Sequence, residues 1–416
     1  MTFENSRSFA KTLDQDDPLG SYREKFHYPK NENKENVIYF SGNSLGIQPK
    51  SVRKYVEKEL YVWEREGLLG QHSRWHNFHE RLIENTSRLV GAQPSEVVVM
   101  NALTVNIHLL MVSFYQPKKA RNKIIIEQGT FPSDQYAIES QIKFHGFDPQ
   151  DTLIELRPRE GETTLRTKDI LAAVRKFNEE LATVILGSVN YYTGQAFDMQ
   201  PITKAGHEAG AYVGFDLAHG AGNLKMKLHD WNVDFAAWCS YKYLCAGPGA
   251  PAGIFIHKTH HDWAGPRLTG WWGHNKNTRF EMGPDFDPIQ TAEGWQISNA
   301  PVIGMAPLLA AMEIFDEAGM AAIRLKSEKL TGFLEYLIAV NLPAVTIITP
   351  ANPVERGCQL SLVAPGGENT FEKISKKGVV CDWRKPDVIR VAPHPLFNRY
   401  TEVYDFVNLL EQSLSE

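Results

Sequence analysis

Hydrophobic and polar positions divide the chain into two textures. Between residues 96 and 257, strand-like apolar runs at 96–100, 123–126, 181–186, 212–215, 235–239 and 253–257 alternate with helical patterns at 101–115, 132–144 and 198–209. Short apolar runs separated by helices predict a mostly parallel sheet covered on both faces, hence an α/β fold. After residue 300 the texture changes. Two long helical patterns at 301–318 and 320–340 precede short strands near 345–348, 357–362, 379–382 and 388–391, and a last helix at 400–414. That succession predicts a smaller α+β domain. Ahead of the sheet, residues 8–27 read as a polar amphipathic helix carrying Phe9, Leu13, Leu19, Tyr22 and Phe26. A short strand at 37–40 then runs into Ser41-Gly42-Asn43-Ser44-Leu45-Gly46, and a long charged helix follows Pro49, placed as a first-turn proline. The expected division is an N-terminal segment 1–48, a large domain 49–299 and a small domain 300–416.

Composition narrows the class. The 416 residues are 43% hydrophobic and 22% charged, ordinary for a globular chain and unlike a disordered one. Charges of 44 basic against 49 acidic residues leave a net −5, without a basic segment to meet nucleic acid. Four cysteines form no CxxC pair and are too sparse for a disulfide scaffold. The N-terminus is polar, and no run of about 18 apolar residues occurs, so neither a signal peptide nor a membrane span is expected and the expected location is cytoplasmic.

Chemistry in a parallel sheet belongs at the C-terminal strand ends. Two ends stand out. The run 211–222 brings Asp216 to a strand tip with His219 three residues on, and the run 234–249 brings Tyr241 and Lys242 to another, followed by glycine-rich turns. Alone, a strand-end Asp is usually a turn former and a Lys usually snorkels. Together they are what pyridoxal phosphate needs: an amine to bond the aldehyde and a carboxylate to keep the pyridine nitrogen protonated. Gly247–Gly253 lacks the spacing of a dinucleotide loop and precedes a strand. Gly42-Asn43-Ser44-Leu45-Gly46 matches the serine-hydrolase elbow, yet Ile47, Gln48 and Pro49 separate it from the helix. His257, His260 and His261 crowd together without an acidic partner at metal-ligand spacing, so a solvated loop and no metal are expected. Trp271, Trp272 and His274 among turn residues fit either buried packing or an aromatic binding loop. Arg390, inside an apolar strand, needs an anion from the protein or from a ligand.

With these residues in place, the chain resembles the kynureninase family over nearly its whole length. The likeness rests on Tyr39–Gly46, Met100–Asn106, Phe131-Pro132-Ser133-Asp134, Tyr192-Thr193-Gly194, Phe215–His219, Ser240–Leu244, Gly270-Trp271-Trp272-Gly273-His274 and Ile297-Ser298-Asn299. The resemblance implies fold type I of the pyridoxal-phosphate enzymes, with a seven-stranded, mostly parallel sheet in the large domain. It implies hydrolysis of the Cβ–Cγ bond of L-kynurenine or 3-hydroxy-L-kynurenine, in tryptophan breakdown and NAD synthesis, by a homodimer with shared active sites. Lys242 would carry the cofactor, Asp216 would pair with the pyridinium and Tyr241 would relay protons. Phe131 would stack on the ring. Leu103, Thr104, Pro132, Ser133, Asp134 and His219 would complete the cofactor shell, and Trp271 and Asn299 would reach it from the other subunit. Arg390 would bind the substrate carboxylate, with Asn43, Ser44 and His72 near the substrate; residues 1–48 would thereby serve the small domain and the substrate site. Gly187 and Cys245 depart from the pattern, standing where relatives carry Ser or Thr and Asn. Competing readings are a cysteine desulfurase or class V aminotransferase of the same fold, with Cys358 as the late-chain thiol, and a serine hydrolase using Ser44.

Overall fold

The computed structural model describes residues 2–416. In chain order its strands are β1 (Ile38–Tyr39), β2 (Val97–Val99), β3 (Lys123–Glu127), β4 (Leu153–Leu156), β5 (Leu181–Gly187), β6 (Tyr212–Asp216), β7 (Phe235–Trp238), β8 (Gly253–Ile256), β9 (Thr346–Ile347), β10 (Leu360–Val363), β11 (Val379–Val380), β12 (Asp382–Arg384) and β13 (Val388–Val391). Seven of them form one sheet in the order β2-β8-β7-β6-β5-β3-β4. Strands β4, β3, β5, β6 and β7 run parallel, and β8 runs antiparallel to both β7 and β2. The mostly parallel sheet expected from the apolar runs is therefore present. Alternate residues of each strand enter opposite cores: Val184, Leu186, Val213 and Phe215 pack on one face, and Ile124, Ile126, Ile185 and Ile254 on the other. Burial of both faces is why these strands read as unbroken apolar runs.

The smaller sheet is antiparallel in the order β12-β13-β10-β9. The N-terminal segment joins it: β1 pairs in parallel with β11, and Ser41 bridges to Ala392. The helix Arg7–Gln15, capped by Ser6 Oγ on the Phe9 amide, packs beside the helix Tyr400–Ser415. Asp14 accepts from the Tyr400 and Thr401 amides at 2.6 and 3.2 Å, a carboxylate at the positive end of that helix.

Several local expectations are corrected. The helix expected over 8–27 stops at Gln15, and a 3₁₀ turn Gly20–Lys25 follows. Pro18 sits in the break, and the residue before a proline disfavours helical backbone. Strand β4 and the helices Thr167–Lys176 and Glu368–Lys376 were not anticipated. β4 is a half-buried edge strand without an apolar run. Residues 300–416 do not all belong to the small domain. The helix Val302–Ala318 buries Met305, Leu308, Leu309, Met312 and Phe315 in the large core, against the helix Val52–Glu66. His257 and His260 are not in a solvated loop: His257 is buried, and His260 Nε2 lies 2.7 Å from Asp234.

Candidate functional site

The C-terminal tips of β3, β5 and β6 lie side by side and end in Glu127, Gly187 and Asp216. Together with the segment after β7 they surround a cavity of about 230 Å³. Lys242 is buried there, its Nζ 3.3 Å from His219 Nε2 and 5.6 Å from the centre of the Phe131 ring. The turn 41–46 clamps this segment from outside, the Gly46 amide donating to the Tyr241 carbonyl at 2.9 Å. A Cβ on Gly46 would fall within 2.4 Å of the Lys242 carbonyl oxygen, so only glycine permits this approach.

Two helices start at the opposite wall. Leu103–Phe114 and Pro132–Phe144 both lack a side-chain cap at their N-termini. Thr104 Oγ1 and Ser133 Oγ, from their first turns, are 2.7 Å apart. Uncapped first-turn amides beside two hydroxyls suit a phosphate. Pro132 is exposed and sets the start of its helix without lining the cavity.

The cavity is rich in acid. Glu127, Asp134 and Asp216 are all buried on its wall beside the single Lys242 ammonium. Burial pushes the Glu127 carboxyl up to about 7, although the Gly187 amide donates to both of its oxygens at 3.2 Å. Burial, with Asp216 alongside, holds Asp134 well above the usual carboxylate range. Asp216 Oδ1 accepts from the Ala218 amide at 2.6 Å. Burial and Lys242 push His219 far below its ordinary value, so it is neutral, and its buried Nδ1 has no partner. Burial raises the Tyr241 phenol, which keeps its proton. Surplus carboxyl groups, a free lysine, the half-exposed face of Phe131 and the uncapped helix starts together fit pyridoxal phosphate: a ring cation, an aldehyde, a flat ring and a phosphate.

Arg390 lies behind the cavity wall. Its Nη1 donates to the carbonyl of Tyr191 at 2.9 Å, and the Tyr191 ring meets Phe131 edge-on at 5.3 Å. Ser44 bonds to both Arg390 and Asp382. Asn43 is buried on Gln359 at 3.0 Å, with its Oδ1 unpartnered. Three expected residues lie elsewhere in the chain. Trp271 is exposed, its indole donating to the Arg279 carbonyl. Asn299 sits in a separate surface depression with Ser298 and Gln296. His72 packs edge-on to His76, which in turn meets Trp272 and Phe280. The two readings of the tryptophan loop thus divide: Trp272 is buried packing and Trp271 is a free aromatic face. Glu127, Tyr191 and Asp382 were missed. Glu127 carried a usable signal, a carboxylate ending the apolar run of β3.

The competing chemistries find no support in the geometry. Among the described residues no histidine bonds Ser44, and its Asp382 and Arg390 partners make it no nucleophile. Cys358 is fully buried, and burial pushes its thiol up to about 12, the opposite of a mobile reactive thiol. Cys245 sits at φ +57°, a left-handed backbone that asparagine adopts more readily.

A family model for the kynureninase C-terminal domain matches residues 323–410. The chain is 54% identical to a kynureninase of Myxococcus xanthus, covering 98% of this chain and 97% of that one. It is 52% identical to a kynureninase of Flavobacterium johnsoniae, covering 100% and 99%. Among solved structures, a C-DES mutant with glycine covalently linked to its pyridoxal-phosphate cofactor aligns with a TM-score of 0.76 at 17% identity, covering 93% of this chain and 98% of that one. The apo cysteine desulfurase of Thermococcus onnurineus aligns at 0.74 and 16% identity, covering 97% and 98%. At that identity the likeness concerns the fold, which is fold type I.

Proposed function

The chain belongs to the kynureninase family, and from that premise we propose how its residues carry out the family's reaction. It is a pyridoxal-phosphate-dependent hydrolase of a carbon–carbon bond, splitting L-kynurenine or 3-hydroxy-L-kynurenine into anthranilate or 3-hydroxyanthranilate and L-alanine. The observation that carries this reading is Lys242 Nζ, held in a cavity with three buried carboxyl groups and the face of Phe131. When bound, the cofactor supplies an electron-accepting ring.

Lys242 would hold the cofactor and would move the proton at the substrate Cα. Asp216, supported by Asp134, would keep the ring nitrogen protonated. Thr104 and Ser133, with the helix amides behind them, would bind the phosphate, and Leu103 and Phe131 would flank the ring. Neutral His219 accepts or donates one hydrogen bond beside Lys242 without adding charge. Arg390 orients the α-carboxylate, with Asn43 and Ser44 beside it. Tyr241, kept protonated by burial, is the proton donor for water addition at the γ-carbonyl and for Cβ.

The molecule acts as a cytoplasmic homodimer in this reading. No helix among the described residues is long and apolar enough to cross a membrane. The exposed Trp271 packs on the exposed Phe280 at 5.4 Å, and Phe280 meets His76, which meets His72; Leu68 and Leu69, just ahead of His72 in the chain, are exposed as well. We assign Trp271, Asn299 and His72 to the partner's cavity across this surface. The helix Arg7–Gln15 and β1 join residues 320–416 in one small domain, while Leu19, Phe26 and Ile47 pack with the helix Val302–Ala318 in the core of the large domain.

Anthranilate fluorescence on adding L-kynurenine to the holoenzyme tests the function, and its absence overturns it. Lys242→Ala and Trp271→Ala chains refolded together should recover up to about a quarter of parental activity, from mixed dimers with one intact site. Proven mixed dimers without recovery would place both residues in one site of one chain.

A further inference from the structure

Arg390 is buried to 1% exposure, yet three of its five N–H groups are bonded without a ligand. Nη2 donates to Asp382 Oδ2 at 2.6 Å and to Ser44 Oγ at 3.1 Å, Nη1 donates to the Tyr191 carbonyl at 2.9 Å, and Nε has no partner. Asp382 and Arg390 face each other directly across the β12–β13 ladder. The Ser44 hydroxyl donates to the same Asp382 oxygen, so this carboxylate is built into the pocket. A guanidinium offers a carboxylate two parallel N–H groups along either of two edges, Nε with Nη2 or Nη1 with Nη2. Both edges include Nη2, and both Nη2 hydrogens are already used by Asp382 and Ser44. An incoming carboxylate cannot bind Arg390 in two-point fashion while these bonds persist.

We propose that Asp382 is the resident counter-ion of Arg390, displaced by the substrate's α-carboxylate, and that it thereby sets the affinity of the site for amino acids. The proposal rests on Arg390 being the carboxylate subsite of the function given above. A buried guanidinium left without an anion is costly, so a built-in carboxylate keeps the empty pocket neutral. Release of Asp382 has a receiving group in place: Arg384 Nη2, half-exposed on the same strand, is 4.0 Å from Asp382 Oδ2. Asp382 acts through Arg390 and is a positioning residue.

The test titrates holoenzyme with L-alanine and with L-kynurenine, reading the dissociation constant from the cofactor absorbance and KM from turnover. Asp382→Asn keeps the size and one acceptor but removes the competing charge, so L-alanine should bind about tenfold tighter and KM should fall by a similar factor. A merely structural defect would move both the other way. Arg384→Gln removes the receiving group and should weaken L-alanine binding about threefold. In an Arg390→Lys background the gain from Asp382→Asn should disappear. Unchanged or weaker binding in Asp382→Asn overturns the proposal, as does unchanged binding in Arg384→Gln should the asparagine variant not fold. If the parental holoenzyme binds no amino acid at all, the function reading fails instead, which separates the two failures.

Discussion

Around Lys242 three buried carboxyl groups, Glu127, Asp134 and Asp216, share a single ammonium, whereas around Arg390 one guanidinium already has its own carboxylate in Asp382. The first cluster carries more acid than it can neutralise, and burial above all, with Asp216 alongside, pushes Glu127 and Asp134 upward. The second is close to neutral and leaves Nε and one Nη1 hydrogen free. The difference matches two kinds of occupant. A cavity with surplus acid suits a cationic ring that stays in place, while an arginine with a resident counter-ion suits an anion that arrives and leaves each turnover.

Removing the acid that faces the ring should have the largest effect. Asp216→Asn should retain cofactor and slow turnover by roughly a thousandfold, measured as kcat on the saturated holoenzyme. Turnover within a few-fold of the parent would mean that the surplus acid does not serve the ring. Glu127 gives the next largest effect, on stability. Its folded pKa of about 7 lies above the ordinary 4.5, so the folded state keeps this proton longer than the unfolded one. Stability of the apoprotein should therefore be full below about 4.5, fall as pH rises to about 7, and level off above, a loss of roughly 3 kcal/mol. Urea unfolding of apoprotein across that range should show the loss, and Glu127→Gln should flatten it.

In the arginine pocket the effects are smaller. Arg390→Lys keeps the charge but loses the two-point fork, so KM should rise roughly thirtyfold with little change in kcat. A change confined to kcat would break the assignment of this pocket to ground-state binding. Ser44→Ala removes one hydrogen bond to each of Arg390 and Asp382 and should cost only about threefold in kcat/KM. Loss of all activity, or covalent capture of Ser44 by a fluorophosphonate, would instead restore a nucleophilic serine.

The same contrast explains what was legible in the chain. Asp216 stands out because an apolar strand delivers it to its tip, and Lys242 because it follows another, in the turn beyond the end of β7 at Trp238. Glu127 sits at the tip of β3 by the same logic, but nothing local marks its proximity to Asp216, which comes from the order β6-β5-β3. Asp382 was unreadable for a related reason. It lies in the three-residue strand β12, and its meeting with Arg390 depends on antiparallel register eight residues apart. Strand β4 was hidden by its half-buried edge position. Two charges brought together by register or strand order leave no periodic trace in sequence. Trp271, Asn299 and His72 lie away from the cavity within this chain, so their place in a site rests on the proposed second subunit.

The account depends most on the acid-rich cavity holding its cofactor through Lys242. Borohydride reduction of yellow holoenzyme, followed by proteolysis and mass mapping, tests this directly. The expected result is a bleached protein with the reduced cofactor on the peptide containing Lys242 and no label in Lys242→Ala. A label on another lysine, or a holoenzyme that borohydride leaves yellow and unlabelled, would contradict it.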